Sequence, residues 1–85
     1  MWYVYIIRCE DDSLYTGITT DINRRFAEHI SGKLGAKYTR ANKPREIVYQ
    51  YTYKTRSEAS QEEARIKKLS KSEKEKLMVI YPPFH

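Results

Sequence analysis

The chain has 85 residues, enough for one domain with a modest core. Hydrophobic residues make up 40% of it and charged residues 32%, and no apolar run approaches the ~20 residues of a membrane span, so no membrane association is expected. The net charge of +5 is unevenly placed: residues 1–20 sum to −2, residues 21–56 to +6 and residues 57–85 to +1. A basic middle third, with Lys33, Lys37, Arg40, Lys43 and Arg45 in and around a loop-like stretch, has the footprint of a surface that meets phosphate. The single cysteine, Cys9, cannot form an internal disulfide and reads as a small buried hydrophobe. The first residues lack the basic n-region of a secretory signal and the lone cysteine has no partner, so a reducing, cytoplasmic setting is expected.

Tyr3–Cys9 and Leu14–Thr19 are rich in β-branched and aromatic residues, and Glu10-Asp11-Asp12-Ser13 between them has turn chemistry. Residues 3–19 therefore read as a β-hairpin. Thr20 or Asp21 is placed to cap a helix running to about Ser31, where Gly32 supplies the stop. Along that helix Ile22, Phe26 and Ile30 form an apolar stripe at ~100° per residue. Arg25 and His29 border one edge of the stripe, while Arg24 and Glu28 fall on the opposite side as a solvent-exposed i,i+4 pair. Gly32–Pro44 is polar and basic and reads as a loop. In Glu46–Lys54 the residues Ile47, Tyr49, Tyr51 and Tyr53 alternate with Val48, Gln50 and Thr52, which predicts a third strand with one more aromatic face. Ser57 is the expected cap of a second helix reaching about Leu69. Ser70-Lys71-Ser72-Glu73 has capping-box form and opens a third helix to about Tyr81, ended by Pro82-Pro83. The expected fold is a single α+β domain over residues 1–85: a small, mainly antiparallel three-stranded sheet, hairpin plus one strand, flanked by about three helices.

Several of these residues carry chemistry that suits a phosphodiester. Tyr15 is followed by Thr16-Gly17, and a glycine weakens a strand unless something approaches the backbone closely. A phosphate, a side chain or a bulge each accounts for it. Arg25 at the edge of an apolar stripe either snorkels over apolar surface or reaches along the sheet; His29 is either a hydrogen-bonded boundary histidine or a functional one. On the second helix Glu62 and Glu63 both lie beside the stripe of Ala59, Ile66 and Leu69, and spacing does not choose between them. A carboxylate there either pairs with a lysine such as Lys67 or ligates a hard divalent cation, which often takes only one or two protein oxygens. One cysteine and two histidines cannot build a structural zinc site.

Together these residues resemble the GIY-YIG nuclease superfamily, in its small stand-alone bacterial single-domain branch. Val4-Tyr5 stands where that family has the end of GIY, with Tyr3 in place of the glycine, and Tyr15-Thr16-Gly17 stands for YIG, with Thr for Ile. Arg25 and His29 form the Arg-x-x-x-His helix, and Ala59–Lys67 looks like the metal-glutamate helix, a match that favours Glu63 over Glu62. The resemblance implies a metal-dependent endonuclease that hydrolyses DNA phosphodiester bonds, structure-selective and active in repair or recombination. It implies Tyr5, Tyr15, Arg25, His29 and Glu63 as catalytic residues, with one Mg²⁺ or Mn²⁺ held by Glu63. Tyr5 is the favoured general base and Tyr15 the second choice or a phosphate-positioning hydroxyl. Arg25 would hold the scissile phosphate, and His29 would orient a tyrosine or contact a phosphate. Gly17, Lys37, Arg40 and Lys67 are the expected nucleic-acid contacts. Duplex or branched DNA is the expected partner, with RNA an open alternative and a protein partner expected to add specificity, because the chain has no separate DNA-reading domain. The competing reading is a nucleic-acid-binding module that does not cleave, or cleaves only when a partner activates it.

Overall fold

A computed structural model of the chain describes residues 1–32 and 42–80. Strand β1 (Trp2–Cys9) takes the centre of the sheet, as its composition dictates: Val4, Tyr5, Ile6 and Ile7 are all buried, so both of its faces need cover. Strands β2 (Leu14–Thr19) and β3 (Pro44–Tyr53) pair antiparallel with its two edges, giving the order β2-β1-β3. Among the described residues three helices complete the α+β fold: α1 (Ile22–Ser31), α2 (Arg56–Lys67) and α3 (Lys71–Ile80). None of them is long and apolar enough to cross a membrane.

The strand pleat sends alternate side chains of β1 to opposite faces. On one face Val4 and Ile6 pack with Tyr49, with Ala59 and Ile66 of α2, and with Leu77 and Met78 of α3. On the other, Tyr5, Ile7 and Cys9 pack with Ile22 and Phe26 of α1. The sheet therefore lies between α1 and the α2–α3 pair, and Tyr5 is on the α1 side.

The helix and strand details depart from the expectations in four places. In β3 the pairing with β1 shifts register between Ile6 and Ile7 and again between Arg8 and Cys9. Ile47 consequently joins the Tyr5 cluster while Tyr49 joins Val4 and Ile6, although strict alternation puts both on one face. An inserted strand residue breaks a period-two pattern, and nothing local announces it. In α1, capped by Asp21 and closed by Gly32 at φ 78°, Ile30 is exposed and His29 is buried. The core-facing stripe is Ile22, Phe26 and His29, which span a narrower arc than Ile22, Phe26 and Ile30. The Arg24–Glu28 pair is a loose one at 3.8 Å, because Glu28 bonds Arg25 instead. Helix α2 starts from Thr55 rather than Ser57: Thr55 and Glu58 cap each other reciprocally, and Ser57 has no carboxylate three residues on to do the same. Helix α3 opens on the reciprocal Ser70–Glu73 contacts, as expected. The expected basic loop falls largely outside the described residues, and with it Lys37 and Arg40; so does Tyr81 at the expected end of α3.

A polar clamp not anticipated from the sequence fastens the hairpin turn to α3. Arg8 donates to Asp12 at 2.6 Å and to Glu75 at 2.6 Å, beside the sulfur of Met78 at 3.5 Å. Lys71 reaches the other oxygen of Asp12 at 3.1 Å.

Candidate active site

The site grows from the β1–β2 pairing, which sets Tyr5 directly opposite Gly17. A Cβ at position 17 would lie 2.5 Å from the Tyr5 hydroxyl oxygen, 2.7 Å from Cζ and 3.1 Å from Cε2 of Tyr15. What approaches the Gly17 backbone so closely is thus the Tyr5 ring, with Tyr15 beside it. The Tyr5 hydroxyl lies 2.9 Å from Nε2 of His29 in a buried contact. The rings of Tyr5, Tyr15 and His29 form a triangle with centroid separations of 6.4, 5.9 and 5.2 Å, one ring each from β1, β2 and α1. Tyr5 is 3% exposed and Tyr15 is half-buried, so Tyr15 is the more open phenol.

Burial sets the protonation of this cluster. It pushes the Tyr5 phenol up to about 12, helped by Tyr15 and the Glu63 carboxylate and opposed by Arg25, which hydrogen-bonds the phenol. It pushes His29 down to about 4, with the Arg25 cation acting in the same direction and Glu28 against it. At neutral pH Tyr5 keeps its proton and His29 is an uncharged imidazole. Burial lowers the pKa of Arg25, yet its hydrogen bonds with Glu28, at 2.8 Å, and with Tyr5 outweigh that and raise it. Arg25 is therefore a permanent cation at the rim of the ring cluster. Glu28, expected from the sequence as the partner of Arg24, pairs with Arg25 at i,i+3 instead.

The two adjacent glutamates of α2 diverge. Glu62 accepts from Arg65 and meets Tyr53 on the β3 side. Glu63 is felt at Tyr5 and pairs with Lys67 at 3.4 Å. The two carboxylates that helical spacing leaves equivalent thus have different partners in the fold. Of the expected residues, Tyr5, Tyr15, Arg25 and His29 come together, with Glu63 in electrostatic reach, Gly17 beneath Tyr5 and Lys67 beside Glu63. Among the described residues no group of three or more His, Cys, Asp or Glu side chains converges. A single half-buried carboxylate suits a hard cation that keeps most of its waters, such as Mg²⁺ or Mn²⁺.

The model of the GIY-YIG catalytic domain matches residues 1–76. The chain belongs to the GIY-YIG family. A UPF0213 protein of Cupriavidus necator is 56% identical over 73 residues, which cover 86% of this chain and 78% of that protein. A UPF0213 protein of Natronomonas pharaonis is 49% identical over 76 residues, 89% of this chain and 88% of its own. The solution NMR structure of a UPF0213 protein from Bacillus halodurans matches with a TM-score of 0.62 at 44% identity, covering 99% of this chain and 89% of that one. In GIY-YIG terms, Val4-Tyr5 lies on the central strand, Tyr15-Thr16-Gly17 lies on its neighbour, and the two are joined by the Tyr5–Gly17 pairing. GIY-YIG domains are nuclease domains, so the family carries an endonuclease-like activity on nucleic acid.

Proposed function

We propose that this protein is a divalent-metal-dependent endonuclease that hydrolyses DNA phosphodiester bonds, with structure-selective action in repair or recombination, in the cytoplasm, as one domain over residues 1–85. The observation that carries the reading is the buried 2.9 Å contact between the Tyr5 hydroxyl and Nε2 of His29, with Arg25 bonded to the same phenol. Two phenols, an imidazole and a fixed guanidinium around one small volume can bind a phosphate, hold a water against it and accept its proton.

Tyr5 takes the proton of the attacking water, and its own hydroxyl proton has Nε2 of His29 as acceptor. With Tyr5 near 12 and His29 near 4, neither step is favourable in the resting protein. The charge that arrives with the substrate shifts that balance at His29, where a phosphate favours the imidazolium, while the resident Arg25 already offsets part of the burial that raises Tyr5. Glu63 would hold the cation, which would supply Lewis-acid polarisation of a phosphoryl oxygen and charge stabilisation for the leaving group. Tyr15, the more open phenol, positions the water or a phosphate oxygen. Arg25 binds the scissile phosphate, where one preorganised donor contributes ~3 kcal/mol to the transition state. Gly17 serves by giving Tyr5 its seat, and Lys37, Arg40 and Lys67 hold the flanking backbone.

The test is a labelled panel of duplex, single-stranded, flap and four-way-junction DNA, incubated with Mg²⁺, Mn²⁺ or EDTA beside Arg25→Ala and Glu63→Ala. Cuts that need metal and vanish in both variants, while binding persists in Glu63→Ala, are the expected result. Binding without cuts in any lane would replace this reading with a partner-activated or non-cleaving nucleic-acid module, and the same panel in RNA form shows whether the sugar matters.

A further inference from the structure

On the sheet face away from Tyr5, a cleft of about 230 Å³ is lined by Tyr49, Tyr51, Tyr53, Glu62, Arg65 and Leu77. It shares no residue with the cluster assigned to cleavage. Tyr49 is its buried floor, whereas Tyr51 is 45% exposed, one of the large apolar side chains that the described residues leave open to water. The Tyr51 and Tyr53 rings stand 5.5 Å apart between centroids, tilted by 52°, so that they form one two-ring wall. The opposite wall is polar: Glu62, turned away from the site of Glu63, accepts from the guanidinium of Arg65 and also meets the Tyr53 hydroxyl.

The chemistry of that lining narrows the occupant. An exposed tyrosine ring such as Tyr51, backed by the half-buried Tyr53, is a stacking surface, and every nucleobase has a face for it. A guanidinium plane adds stacking and cation–π attraction, and a carboxylate accepts from the amino and imino groups of a base edge. A phosphate is repelled by Glu62, and an aliphatic ligand would strip water from the Glu62–Arg65 pair without repaying it. We propose that this cleft is a subsite for one unpaired nucleobase, stacked on Tyr51 and Tyr53 and held at its edge by Glu62 and Arg65. Guanine fits best, because it alone among the standard bases offers two adjacent N–H donors to one carboxylate. The inference rests on the reading of this chain as a protein that acts on nucleic acid, and it deepens that reading. Glu62 and Glu63 are successive residues of α2, one lining the cleft and the other proposed above to hold the cation, so the favoured substrate carries an unpaired base near the bond to be cut.

Binding of short single strands to the full chain in EDTA, followed by amide chemical shifts, tests it. Three strands are compared: thymidines with one central guanine, thymidines throughout, and the same strand with an abasic sugar at the centre. The guanine strand is expected to shift the amides of residues 49–53, 62 and 65 and to bind about tenfold more tightly than the abasic one, the low end of what one stacked base contributes. Tyr51→Ala, an exposed position whose fold is checked from the same spectra, should remove that difference while leaving the abasic strand bound as before. Equal binding of guanine and abasic strands, or shifts confined to Arg25, His29 and their neighbours, would overturn the subsite. Cleavage plays no part in the readout. A protein that prefers the base but never cuts loses the nuclease reading and keeps this one; a protein that cuts yet ignores the base loses only the subsite.

Discussion

Gly17 decides whether Tyr5 can occupy its place, because a methyl group there would stand 2.5 Å from the phenol oxygen. Gly17→Ala is expected to cost ~1–3 kcal/mol as overpacking, read as a lower thermal midpoint. It should also lower cleavage about a hundredfold, since a reacting group displaced by an ångström loses that much. A variant that is less stable but cuts at the wild-type rate would remove Tyr5 from the chemistry. His29 supplies a second test. Its folded pKa of about 4 lies below the ~6.5 of an unfolded histidine, so folding favours the neutral ring. The stabilisation is complete above pH ~6.5 and is lost as pH falls through about 4, on the order of 3 kcal/mol in all. Urea midpoints of the wild type should therefore fall more steeply over that window than those of His29→Gln; parallel profiles would show that the ring is not held neutral. The residue types at these positions are legible in the sequence. Their partnership is not legible from composition or spacing and follows only from the family resemblance, in which His29 orients a tyrosine: Tyr5 and His29 are brought together by the packing of α1 on the sheet, from 24 residues apart.

At the scale of elements, what was legible is what is local. The hairpin, the Asp21 cap with its Gly32 stop, and the Ser70–Glu73 box each depend on residues a few positions apart, and each forms where expected. The choice of Thr55 over Ser57 is also local: Thr55 has the reciprocal partner Glu58 three residues on, and Ser57 has none. The rest depends on distance. The β3 bulges answer to the register with β1, the separation of Glu62 from Glu63 answers to where α2 lies, and Arg8 meets Glu75 across 67 residues. Arg8 is the point at which that last dependence can be measured. Its side chain is only 14% exposed, but Asp12 and Glu75 are much more open, which limits the value of the pairs. Arg8→Ala is expected to destabilise the protein by ~1–2 kcal/mol and to speed amide exchange in α3 more than in α1. Equal acceleration in both helices would show that the Arg8 contacts do not hold α3 in place.

The whole molecule is basic, but its charge is concentrated in residues 21–56, and the ring cluster itself is neutral apart from Arg25 and the nearby carboxylates. If Lys37, Arg40 and their basic neighbours carry affinity while Arg25 and the rings carry the chemistry, salt can separate the two. If about five phosphates are met by the basic segment, the logarithm of the binding constant should fall with the logarithm of salt at a slope of about −4.5, several hundredfold between 50 and 200 mM by that relation. Replacing Lys37 and Arg40 together by Ala should make the slope shallower by about two and weaken duplex and single-stranded DNA alike, since backbone contacts carry no sequence information. At saturating DNA the double variant should still cut at the wild-type rate, because neither residue is placed among the reacting groups. An unchanged slope would take this segment out of the DNA contact, and a fall in the saturated rate would bring it into the cleavage step itself. Arg25→Ala predicts the reverse pattern: a slope shallower by no more than about one, and a saturated rate reduced by about a hundredfold or more.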